Sequence, residues 1–170
     1  MSLSAADRKT LADLAARAYT VVEQAITIYA KSAEMPRRFG LGVYDASDGG
    51  AGFDPASLES RMIADFRIDP ADWADRDYIV TLRRKLNVAI RTGRNSADVA
   101  RNAPELFIEG DMRAPGGILG EVNGKPIAIG GSGYRGPEDE AFAILLLEAM
   151  KRLGGDYVPA PTPPPPNPQP

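Results

Sequence analysis

The chain predicts a single α+β domain in which amphipathic helices pack against antiparallel strands. Its 170 residues suit one domain with a substantial core. Apolar residues recur at three- and four-residue spacing in several stretches, and an Asn-Gly pair joins two β-prone runs. These observations set the class, and the elements follow in order.

The first helix is expected from about Thr10 to Ser32, with Leu11, Leu14, Ala15, Ala18, Val21, Val22, Ala25, Ile28 and Tyr29 on its apolar stripe. Thr10 and Asp13 resemble a cap, and Pro36 ends the pattern. Leu41–Tyr44 reads as a short strand, followed by turn chemistry from Asp45 to Gly52. From Leu58 to Asp69 the even positions Leu58, Met62, Ala64, Phe66 and Ile68 are apolar, and the odd positions Glu59, Arg61, Asp65, Arg67 and Asp69 are charged. That period of two predicts a half-buried strand whose polar face meets water or another subunit. A second helix is expected from about Asp77 to Thr92, lined by Ile79, Val80, Leu82, Leu86, Ala89 and Ile90 and stopped at Gly93. A short helix starts at Ser96, capped by Asn95 or Ser96.

The strongest local signal is Ile118–Val122 and Lys125–Ile129 around Asn123-Gly124, which predicts a type I′ hairpin. Gly130–Gly136 reads as a glycine-rich loop, and Pro137 opens a last helix reaching Leu153. Its acids in the first turn and Lys151 and Arg152 in the last agree with the helix dipole. The domain is expected to span 1–157. The proline-dominated tail 158–170 is expected to be extended, solvated and disordered.

Composition excludes much chemistry. The chain has no Cys and no His, so histidine-ligated haem, iron–sulfur clusters, ordinary zinc sites and Ser-His-Asp or Cys-His catalysis cannot be built from it. A formal net charge of -3 gives no basic field for nucleic acid. No apolar run approaches the roughly 18 residues of a membrane span, and the first residues lack an apolar signal segment, so a cytoplasmic protein with no membrane partner is expected. Asp45, Asp48 and Asp54 lack the spacing of a calcium loop and read as turn residues, with no metal site expected. Gly131-Ser-Gly133-Tyr-Arg-Gly136 matches G-x-G-x-x-G, but no later strand completes a dinucleotide unit. Trp73 and Tyr78 are read as packing aromatics.

The late blocks Pro115-Gly-Gly-Ile118, Val122–Gly133 and Glu138-Asp-Glu-Ala141 resemble the GlcG/HbpS-like family of haem-binding proteins, which includes the C-terminal domain of PduO-type proteins. Val43–Ala46, Arg84-Lys85, Ala89 and Ser96 fit its earlier landmarks, so the resemblance covers roughly Thr10 to Leu153. It implies a profilin-like antiparallel sheet flanked by helices, assembled into dimers or higher oligomers. By the same resemblance haem is the default ligand. Without histidine, its axial ligand would be Tyr, Met or Lys, or absent, so the cofactor stays open.

The resulting expectation is a small-molecule-binding protein working as a homo-oligomer. Its pocket would lie near Pro115, Gly116 and Gly117, near the Gly130–Gly136 loop with Gly131, Ser132, Gly133 and Arg135, and near the second helix, where Arg83, Arg84 and Lys85 offer a cation to a propionate or other carboxylate. The alternative is a catabolic lyase, isomerase or hydrolase for a small carboxylated metabolite, with acid and base drawn from Asp45, Lys85, Tyr134 and Glu138 and with Arg135 or Arg84 holding an anion.

Overall fold

A computed structural model gives the structure and describes residues 2–74 and 76–155. The proline-rich tail falls outside these described residues. Four strands, β1 (Phe39–Asp45), β2 (Met62–Ile68), β3 (Gly117–Val122) and β4 (Lys125–Ser132), form one antiparallel sheet in the order β2-β1-β4-β3. Helices α1 (Ala5–Ser32) and α4 (Gly136–Gly154) pack on one face, and α2 (Tyr78–Thr92) packs on the other with α3 (Ser96–Asn102) beside it. This is the α+β arrangement the sequence predicts.

The first face carries the larger apolar cluster. Leu11, Leu14, Ala18, Val22 and Ile26 of α1 meet Phe142, Leu146 and Met150 of α4 over Leu41, Val43, Ile127 and Ile129 of the sheet. Each fully buried Leu or Ile there is worth about 1.5–3 kcal/mol. On the second face Ile79, Leu82, Leu86 and Ile90 pack on Tyr44 and Ala128. Glycine lets α2 come close, since a Cβ at Gly130 would lie 2.8 Å from Leu82 Cδ1. Trp73 and Tyr78 are buried edge-to-face at 5.0 Å, so they are packing aromatics.

Several expected boundaries move. Helix α1 begins at Ala5, because Ser4 Oγ accepts the Asp7 N–H at 3.1 Å and caps the helix one turn earlier than the apolar stripe suggests. Thr10 is therefore interior, and its hydroxyl donates to Ala6 O. Val21, Ile28, Val80, Ile144 and Leu153 are exposed, so the apolar stripes are narrower than expected. Residues 55–61 form two short 3₁₀ turns, and β2 starts only at Met62. Gly130, Gly131 and Ser132 are not a loop. They are the end of β4, paired with Gly42, Leu41 and Gly40.

Other local readings hold. Asp77 caps α2 by accepting the Ile79 and Val80 N–H groups, and Gly93 ends it at φ 68°. Asn123 at φ 52° and Gly124 at φ 70° give the left-handed pair that a type I′ turn requires. Asn95 and Ser96, however, do not cap α3 with their side chains. Asn95 Oδ1 accepts the Leu119 N–H at 2.9 Å and Ser96 Oγ accepts the Gly117 N–H at 3.0 Å, so both close the outer edge of β3. Among the described residues no helix is long and apolar enough to cross a membrane.

Candidate functional site

The segments around Lys85, Gly116, Gly131 and Asp139 meet at one end of the sheet. Lys85 projects from α2 towards the end of β4 and the start of α4. Its ammonium donates to Asp139 Oδ2 at 2.6 Å and to Gly131 O at 3.0 Å. Both side chains are almost sealed, at 2% and 3% exposure. Asp139 Oδ1 accepts the Tyr134 N–H at 2.9 Å, so one carboxylate ties the β4–α4 turn to α2. Burial pushes the Asp139 carboxyl above its usual range, against the pull of the Lys85 ammonium.

Glycines make this knot possible. The Gly131 N–H donates to Gly116 O at 2.8 Å. A Cβ at Gly116 would lie 2.7 Å from Gly131 O and 3.0 Å from Lys85 Nζ, and one at Gly117 would lie 2.6 Å from Lys85 O. A Cβ at Gly136 would lie 2.5 Å from Pro115 Cδ. Here glycine serves the close approach of the chain to itself.

The other sequence candidates are dispersed. Ser132 is buried where β4 meets β1, opposite Gly40. A Cβ at Gly133 would lie 2.6 Å from Arg38 O. Tyr134 packs among Tyr29, Phe39 and Phe142, and its hydroxyl donates to Pro36 O at 3.1 Å. Glu138 Oε1 accepts the Tyr29 hydroxyl at 3.0 Å, while Oε2 is enclosed without a partner. Arg135 is exposed at the start of α4, and exposed Arg84 donates from Nε to Gly110 O at 2.9 Å. Asp45 lies at the opposite end of β1 from Gly40, paired with Ile127. There it accepts the Leu3 and Ser47 N–H groups at 3.0 and 2.9 Å.

Asp139 is the residue absent from the sequence-based site. A signal existed, since a lysine on the apolar side of α2 needs a buried counter-charge. The three acids opening α4 were the place to look.

These groups offer no free ligand for haem iron. The chain offers no His or Cys, the Lys85 ammonium is held by Asp139 and Gly131, and the Tyr134 hydroxyl is held by Pro36. A cleft of about 470 Å³ on α1 is lined by Thr20, Glu23, Gln24, Thr27, Ile28 and Arg37, none of them a haem-iron ligand of the usual kinds. Another of about 330 Å³ is walled mainly by glycine and aliphatic groups, between the turn after β1, the end of α2 and the hairpin. Among the described residues, no cluster of acidic side chains could hold a metal ion.

The antiparallel sheet with helices on both faces makes this an α+β domain whose fold is shared with HbpS and with a DUF336 protein. Among solved structures it is similar to a double Glu-to-Asp variant of Streptomyces reticuli HbpS, with a TM-score of 0.50, 21% identity, and coverage of 81% of this chain and 84% of that one. A second HbpS structure gives a TM-score of 0.50, 21% identity, and coverage of 76% and 84%. The Klebsiella pneumoniae protein ORFY, of family DUF336, gives 0.52, 14% identity, and coverage of 79% and 88%. The likeness is one of fold. No protein-family model and no curated protein sequence matches the chain.

Proposed function

We propose that this chain is a small-molecule-binding protein of the GlcG/HbpS-like family, working as an oligomer, and that it takes a carboxylate-bearing ligand. The observation that carries the reading is the Lys85–Asp139 knot, which fixes the segment 112–117 through Gly116 and Gly131. Exposed Arg84, Arg113 and Arg135 all lie on or beside that rigid segment. The Met112 N–H donates to Arg84 O, Arg113 is part of the segment, and Gly136, next to Arg135, adjoins Pro115. Guanidinium groups on a fixed backbone suit a carboxylate.

Binding is favoured over turnover because Lys85, the natural nucleophile or base of the set, is sealed and already paired. Haemin, whose propionates carry the same charge, is the first probe. The experiment is an absorption titration of wild type, Tyr134→Phe and the double variant Arg84→Ala/Arg135→Ala, beside calorimetry with small dicarboxylates. Saturable binding of haemin or a dicarboxylate, weakened in the arginine variant and unchanged in Tyr134→Phe, is the expected result. Binding that ignores the arginines would refute the assigned surface, and no binding of any carboxylate would refute the ligand class.

A further inference from the structure

The two edges of the sheet are finished differently. On β3, Asn95 and Ser96 occupy the outward N–H groups of Leu119 and Gly117, so the start of α3 covers that edge. Strand β2 is the other edge. The alternation of backbone direction can be carried across the sheet from β3. If Gly117 and Leu119 face away from β4, then Ile118 pairs with Ile129, Gly42 with Gly130, and Leu41 with Phe66. The N–H and C=O groups of Asp65 and Arg67 therefore point out of the sheet.

We propose that β2 is a docking edge for a second copy of this chain, paired antiparallel about a two-fold axis at Phe66. The charge pattern selects that register. Centred on Phe66, each Asp65 lies opposite Arg67 of the second copy, and each Arg67 opposite its Asp65, as opposite charges prefer across a pair of strands. A shift of one step sets Asp65 against Asp65 or Arg67 against Arg67. Within one chain Asp65 and Arg67 already bond at 2.9 Å, and both side chains stay partly open to solvent, at 26% and 46% exposure. Pairing would join them into a four-charge network. A two-fold contact of this kind is self-complementary and closed. It gives the proposed assembly its surface, and rests on that reading only for the existence of an assembly.

Sedimentation velocity across a concentration series tests it with wild type, Arg67→Asp and the swapped pair Asp65→Arg/Arg67→Asp. Wild type should dimerise or build even-numbered assemblies. Arg67→Asp should raise the dimer dissociation constant about tenfold or more, and the swapped pair should restore it. The second measurement uses the absence of native cysteine. Phe66→Cys, facing its own copy across a non-hydrogen-bonded pair, should form an intersubunit disulfide on mild oxidation. Assembly indifferent to Arg67→Asp, with no Phe66→Cys disulfide, would overturn this surface and leave an oligomer standing. A wild type that remains monomeric throughout would overturn both.

Discussion

Two aspartates, Asp45 and Asp139, are both closed off from solvent at 1% and 2% exposure, Asp139 at the greater depth, and their carboxyls are driven in opposite directions. Burial alone would raise both. At Asp45 it is outweighed by hydrogen bonds from Ser47 and Leu3 and by the charge of Arg8, and the carboxyl falls below its usual range. At Asp139 burial prevails over the Lys85 ammonium, and adjacent Glu138 adds repulsion. A carboxylate held by backbone N–H groups at a chain end is solvated by the protein. One held mainly by a single buried cation remains costly to ionise. The first arrangement suits an anchor, since it fastens the start of the chain to the end of β1 through the Leu3 N–H. The second suits a clasp between elements distant in sequence.

The largest test of the difference is to break the clasp. Asp139→Ala strands the Lys85 ammonium in the core and should cost about 3–5 kcal/mol in urea unfolding. Lys85→Met with Asp139→Leu should cost far less than the two single variants together, because no charge is left unpaired. A double variant as unstable as the sum would mean that the pair contributes through shape, with charge secondary. Gly131→Ala probes the same place without touching a charge. The new Cβ would press on Asp139 O, with a loss of about 1–3 kcal/mol.

Much of this architecture was legible in the sequence where short-range chemistry decides it. Asn123-Gly124 sets its turn by backbone dihedral, and Asp77 and Gly93 bracket α2, so those elements could be placed from a few neighbouring residues. The start of α1 was obscured because Ser4 and Asp7 form their cap before any apolar residue of the stripe begins. Lys85 stood out as a candidate, but its partner lies 54 positions away, and no local pattern connects the two. The Gly130–Ser132 run looked like a loop for a related reason. Glycine usually weakens a strand, and only the close approach of Leu82 and Asp139 explains its presence in one.

The anchor should respond more mildly than the clasp. Asp45→Ala removes the acceptor for the Leu3 and Ser47 N–H groups, and a loss of about 1–3 kcal/mol is expected in the same urea experiment. Amide exchange at Leu3 should rise in that variant while the hairpin stays protected. Equal loosening of the hairpin would show that Asp45 supports the whole sheet.

The finest discrimination is the dependence of stability on pH, where the two carboxyls should act with opposite sign. Asp45 has its folded value below the unfolded one, so between them the unfolded chain binds more protons. Its contribution is present above the unfolded carboxylate value of about 3.9 and is lost as pH falls through the folded value. Asp139 is raised, so in the window above the unfolded value the folded chain binds more protons and stability declines as pH rises. Asp45→Asn should therefore flatten the acid loss of stability relative to wild type, whereas Asp139→Asn should steepen it. Unfolding free energies measured at intervals from neutral pH into the acid range separate these slopes. Slope changes in the same direction in both variants, relative to wild type, would mean that the Lys85 ammonium overcomes burial, and that clasp and anchor hold their charges alike.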